Sequence, residues 1–154
     1  MIKGCPFGTH RVIEPMGTMP QAALKIDNTM KIKNNELLLD VMTLNIDSAS
    51  FTQIKDACNK DIDKITAMIT EIVGERGKMQ NPVTGSGGML IGVVKEIGPD
   101  FPDKSLKVGD KLATLVSLSL TPLKIDKINN VNISNDQVDI DGQAILFETG
   151  IYSV

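Results

Sequence analysis

The single histidine, His10, stands beside Arg11, and Glu14 follows three residues later. An imidazole can give or take a proton near neutral pH, and a guanidinium can grip a carboxylate with two parallel donors. His10 and Glu14 are therefore candidate proton-transfer groups and Arg11 a candidate carboxylate binder, against the plainer reading of surface charge or a local salt bridge. Asp47 lies in Asn45-Ile46-Asp47-Ser48-Ala49-Ser50, where an apolar run gives way to a helical pattern. It can hold an ammonium or accept a proton at a cleft edge, or it can simply turn the chain and cap the helix. Cys58 reads as helical core, and Cys5 has no neighbour that completes a nucleophile and base pair.

Glycines 85, 87 and 88 raise the question of a phosphate cradle. The lysine and hydroxyl residue of a P-loop do not follow them, and Leu90 interrupts the dinucleotide pattern G-x-G-x-x-G, which leaves a tight turn or a close backbone approach as the plainer reading. No local pair of His and Cys has zinc-ligand spacing, so no metal site is expected.

The whole chain narrows the classes further. Its 154 residues suffice for one full hydrophobic core, and a single domain over 1–154 is expected. A net charge of -3, one tyrosine and no tryptophan argue against a nucleic-acid module and against an anionic membrane surface. No apolar run reaches the roughly 18 residues a bilayer helix needs. Two cysteines and an opening of Met-Ile-Lys-Gly-Cys-Pro, rather than a secretion signal, make the cytoplasm the expected setting. The run from Ala144 to Val154 is apolar almost to its last residue, which reads as one domain of a longer protein.

These candidates must be positioned by a mainly β chain with a helical insertion. The expected strands are His10–Glu14 within an irregular arm over 1–27, Glu36–Leu44, Met89–Ile97, the run from Lys111 through Leu120, and Leu123–Ile125. Val138–Gln143 and Ala144–Phe147 are read as a hairpin about Asp141-Gly142. Ser50 with Gln53 fits a capping box opening a short helix, and Ile62, Ile65, Ile69 and Ile72 mark a second over Asp61–Val73, ended by Gly74 or Gly77. Strand, wide loop, tight turn and strand over Asn81–Lys111 suggest a curled β-domain.

Glu36–Leu44, the turn Asn45–Ser50, then GSGGMLIGVVKEIG and KVGDKLA resemble the GroES-like β-barrel catalytic domain of the medium-chain dehydrogenase/reductase superfamily, over approximately 24–115. In zinc-dependent members a cysteine ligand lies where this sequence has Asp47, and the usual Gly-His-Glu becomes Gly87-Gly88-Met89. There is no four-cysteine lobe after Lys111. The resemblance is thus to a zinc-independent branch. Within it, Cys5–Pro15, Leu44–Phe51, Pro82–Met89, Leu115–Leu123 and Leu146–Tyr152 are similar to NAD-dependent dehydrogenases of a diamino acid.

That resemblance implies oxidative deamination of 3,5-diaminohexanoate to 5-amino-3-oxohexanoate in anaerobic lysine fermentation. It implies a subunit about twice this length, with a Rossmann domain and its NAD-binding residues beyond Val154, likewise a homo-oligomer, and no turnover by the 154 residues alone. Asp47 would then act at the reacting centre, Arg11 and Ser50 would join it in holding the amino acid substrate, and His10 or Glu14 would move protons. Two other classes fit the same residues: another zinc-independent reductase, such as a quinone reductase, and a noncatalytic GroES-like assembly module.

Overall fold

The leucines at 37–39 form a strand because both of its faces are covered. The computed structural model describes residues 2–154. The chain runs through β1 (Val12–Glu14), β2 (Lys25–Ile26), β3 (Leu37–Ile46), α1 (Ser48–Ala57), α2 (Ile62–Arg76), β4 (Gly88–Ile97), β5 (Lys111–Thr114), β6 (Leu123–Asn132), β7 (Gln137–Leu146) and β8 (Tyr152–Ser153). Leu37 and Leu39 enter the main core with Phe51, Ile54, Ile65 and Ile69. Leu38 points the other way, into a smaller cluster with Ile32, Ile145 and Phe147.

β3 lies inside an antiparallel six-stranded sheet of order β6-β7-β3-β4-β5-β8, paired with β4 on one side and β7 on the other. β1 and β2 form a separate ribbon. The mainly β architecture with two helices between β3 and β4 is as expected. Among the described residues the sheet does not close into a barrel, since β6 and β8 remain its two edges. The physical reasons are visible at those edges: β8 has two residues, and β6 exposes Lys124, Asp126 and Lys127, charges that discourage further strand pairing.

Several local expectations are corrected. His10 and Arg11 lie in a 3-10 turn rather than in the strand, which begins at Val12. The strand from Lys111 ends at Thr114, because Ser117 caps a 3-10 turn over Leu118–Leu120. Asp141-Gly142 is no turn: it lies within the continuous strand β7, where a side chain at 142 would run into the Lys124 carbonyl. The β6–β7 connection comes earlier, with the Asn132 carboxamide accepting from Ser134 and Asn135 N–H and with Asp136 at φ 55°. The first helix is capped by Asp47, not by Ser50. The second begins after Asp61 and ends at Gly77, whose φ of 73° suits glycine, while its missing side chain leaves room for the Ile26 carbonyl. Ile62, expected on the buried face, is 47% exposed. No helix is long and apolar enough to cross a membrane among the described residues.

Just past α2, Lys78 is fully buried without a carboxylate partner. Its Nζ donates to the carbonyls of Pro20 at 2.6 Å and Gln21 at 3.4 Å, while Arg76 donates to Leu24 and Gln80 to Gln21. These side chains pin the arm to the body. Burial, with Arg76 adding to it, brings the Lys78 ammonium down to about 7. Between that value and the ordinary lysine range the unfolded chain binds the extra proton, so this group makes stability rise with pH, by at most about 1.4 kcal/mol per pH unit. Below about 7 the burial penalty is present in full. Chemical unfolding at pH 7 to 9 is expected to show this rise in the natural chain and a flatter profile in Lys78→Met; equal slopes would contradict it.

Candidate active site

β3 ends at Ile46, and the next residue turns the chain into α1. Asp47, in extended conformation, accepts the Ser50 N–H at Oδ1, 2.9 Å away, the usual reach of an N-cap side chain. The same oxygen accepts from Ser86 Oγ at 3.0 Å. Oδ2 is buried and has no hydrogen-bond partner among the described residues. A carboxylate oxygen left this way is costly unless something arrives to bind it.

Ser86 gets there because β4 begins with glycine. Gly88 has φ 131°, and a side chain on it would run into the Asn45 carbonyl. Next to it, Gly87 accepts the Asp47 N–H at 3.0 Å. A side chain on Gly87 would lie 2.6 Å from the Met79 carbonyl and 2.7 Å from the Ser119 amide. These two glycines thus serve close backbone packing, and Gly85 supplies a positive φ of 73° in the preceding turn.

The loop is held from behind by Asn81, 1% exposed. Its Nδ2 donates to the Ser50 carbonyl at 3.2 Å and to Gln53 Oε1 at 2.8 Å, while its Oδ1 accepts from the Val83 amide at 2.8 Å. Gln53, expected to return to a helix cap, instead binds this asparagine. Asp47, Ser86, Gly87, Gly88 and Met89, together with residues 114–117, line a cleft of about 410 Å³. It contains one carboxylate, the hydroxyls of Ser86, Thr114 and Ser117, and no histidine or cysteine. An apolar cavity of about 320 Å³ adjoins it through Val116, walled by Phe7, Met19, Leu120 and Phe147 among others.

The other candidates are placed elsewhere. Arg11, 3% exposed, uses all the N–H donors of its guanidinium inside the protein. Nε and Nη2 grip the two Glu36 oxygens at 2.8 Å each, Nη1 donates to the Asp27 and Thr29 carbonyls, and Nη2 donates also to Lys31. His10 Nδ1 accepts the Cys5 N–H at 2.9 Å, so Nε2 carries the proton and donates to Glu36 Oε2 at 2.8 Å. Burial alone would raise the Glu36 carboxyl, but the bonds from Arg11 and His10 outweigh it and hold the group at about 2. Glu14 is exposed on the β1–β2 ribbon, and Ser50 is fully buried with its hydroxyl unpartnered. None of His10, Arg11, Glu14 and Ser50 lines the Asp47 cleft. Ser86 and Asn81 were not foreseen, because nothing in the sequence around them names their tertiary partners.

Fold and cleft together define a mainly β domain that presents one buried, unpaired carboxylate oxygen where its central strand becomes a helix. Residues 10–154 match the family described as the L-erythro-3,5-diaminohexanoate dehydrogenase N-terminal domain, and the chain belongs to that family. It is 65% identical over 155 residues to L-erythro-3,5-diaminohexanoate dehydrogenase of Fusobacterium nucleatum subsp. nucleatum, covering 100% of this chain and 45% of that protein. It is also 65% identical over 153 residues to the enzyme of the same name from Acetoanaerobium sticklandii, covering 99% of this chain and 44% of the relative. The chain thus spans less than half the length of these curated relatives.

Glu36→Gln leaves Arg11 buried without its anionic partner, and a loss of about 3–5 kcal/mol in unfolding free energy is expected. In the natural chain the Glu36 contribution is complete above its ordinary range near 4.5 and disappears as pH falls toward about 2. Urea titrations of both proteins at neutral and acid pH measure this. A neutral-pH loss below about 1 kcal/mol would contradict the role given to the cluster.

Proposed function

We propose that this chain is the substrate-side domain of an NAD-dependent L-erythro-3,5-diaminohexanoate dehydrogenase, which oxidatively deaminates its substrate to 5-amino-3-oxohexanoate in cytoplasmic lysine fermentation. The observation that carries the reading is the unpartnered Oδ2 of Asp47, a residue that lines the cleft, set beside the family to which the chain belongs. Overall, the C3 ammonium, water and NAD in its oxidised form give a ketone, an ammonium ion, reduced NAD and one proton. NAD supplies the hydride acceptor and, in this reading, is held by a Rossmann domain outside these residues. The domain itself is read as a GroES-like member of the medium-chain superfamily whose barrel is not closed among the described residues. Assembly of the full subunit into a homo-oligomer belongs to the same reading.

Asp47 does the work this chain contributes. Its Oδ2 attracts the cationic nitrogen and takes a proton from it, freeing the lone pair that expels the C3 hydride and leaves an iminium for water to attack. Oδ1, fixed by the helix cap, keeps the carboxylate from turning away. A resident zinc ion fits this cleft poorly, because its lining offers one carboxylate, already accepting at Oδ1, and neither imidazole nor thiolate. The reading therefore uses no zinc. His10 and Arg11 act through the arm they anchor, Ser50 supports the first turn of α1, and Glu14 has no part at the reacting centre.

The adjoining apolar cavity is the feature that favours a second reading, a zinc-independent reductase of a planar apolar substrate such as a quinone. NAD-linked turnover by the full-length gene product distinguishes them. The diamino acid is expected to be oxidised and quinones to be inert, and the 154-residue chain alone is expected to show no turnover. Asp47→Asn is expected to lower kcat/KM by on the order of 10²–10⁴. A folded, NAD-binding Asp47→Asn enzyme with normal kcat/KM would sink the proposal.

A further inference from the structure

Asp47 Oδ1 is fixed from two sides, one of which the helix does not require. The Ser50 N–H is an ordinary cap bond, present wherever an aspartate opens a helix. The Ser86 hydroxyl is brought from a different part of the chain, across the close approach of Gly87 and Gly88 to the end of β3. A carboxylate only accepts, so Ser86 must be the donor in this pair. Its own oxygen is then left to accept from Thr84 Oγ1, 2.8 Å away. Thr84, Ser86 and Asp47 thus form a one-way chain of donors running from an exposed hydroxyl to a carboxylate at the cleft. The loop that carries this chain is closed by the Asn81 N–H to the Ser86 carbonyl at 2.9 Å and by the Gly85 N–H to the Asn81 carbonyl at 2.7 Å.

We infer that Ser86 is a positioning residue for the substrate ammonium: by loading Oδ1 it leaves Oδ2 as the one unpartnered acceptor of Asp47 for an incoming cation. This rests on the proposed role of Asp47 and adds to it which oxygen acts and what decides that. Without the hydroxyl, Oδ1 keeps only the cap bond and the carboxylate can turn about its cap. Asn81 acts one step further back, by fixing the loop that delivers Ser86. Thr84 polarises the Ser86 hydroxyl from the solvent side.

The test is steady-state kinetics of the full-length gene product with L-erythro-3,5-diaminohexanoate, for Ser86→Ala, Ser86→Thr, Thr84→Val and Asp47→Asn. Ser86→Ala is expected to raise KM about tenfold, a loss on the scale of one charge-assisted hydrogen bond, while kcat falls less than KM rises. Ser86→Thr restores the hydroxyl and should recover most of the KM effect, and Thr84→Val should raise KM by less. A merely structural serine would lower thermal stability and leave KM where it was. If Asp47→Asn is impaired while Ser86→Ala keeps its KM, the inference about Ser86 fails and the Asp47 reading stands. A loss confined to kcat in Ser86→Ala, or one with no recovery in Ser86→Thr, overturns it equally. Normal Asp47→Asn kinetics would instead remove the reading on which it rests.

Discussion

The approach of Gly88 to the backbone at Asn45–Asp47 is the contact on which the cleft depends. Any side chain at 88 would strike the Asn45 carbonyl, and the adjacent Gly87 carbonyl takes the Asp47 amide proton. Because the two strands come this close, the cap of α1 and the loop over Asn81–Gly87 share one small volume. The cap aspartate then serves two ends: one oxygen starts a helix, and the other has no partner among the described residues. Local stability and a vacant acceptor are supplied by the same side chain, at the cost of leaving a buried oxygen unbound.

The N-terminal arm is attached by a different kind of interaction, in which charge is buried on purpose and then neutralised in detail. Glu36 accepts from Arg11 twice, from His10 and from the Lys33 amide, so its burial is offset by four donors. Lys78 has no such compensation and is left with the carbonyls of Pro20 and Gln21. One cluster is strengthened by ionisation and the other strained by it. Both hold the arm, which also supplies Phe7 and Met19 to the wall of the apolar cavity beside the cleft.

Elements defined by their own residues were legible in the sequence. The leucine run became β3, the isoleucine spacing became α2, and a glycine stop, open between Gly74 and Gly77 in the sequence, and the placement of both helices between strands followed from local chemistry. Where a residue's role is set by a neighbour distant in sequence, the residue's own surroundings in the chain do not show it. Gly142 next to Asp141 looks like a turn, yet it is needed to let β7 pass the Lys124 carbonyl. Ser50 with Gln53 looks like a capping box, yet Asp47 stands three residues before Ser50 and takes its amide. His10 and Arg11 have side chains able to do chemistry, and only the fold shows that both bind Glu36. Asp47 could be singled out because it lies at a strand-to-helix turn. Ser86 could not, since its bond to Asp47 spans 39 residues.

The decisive measurement is a structure of the full-length gene product with NAD and L-erythro-3,5-diaminohexanoate bound. An amino nitrogen of the substrate is expected within about 3 Å of Asp47 Oδ2, with Ser86 Oγ and the Ser50 amide still on Oδ1. Both amino nitrogens held by other groups, with Oδ2 still unpartnered, would contradict it.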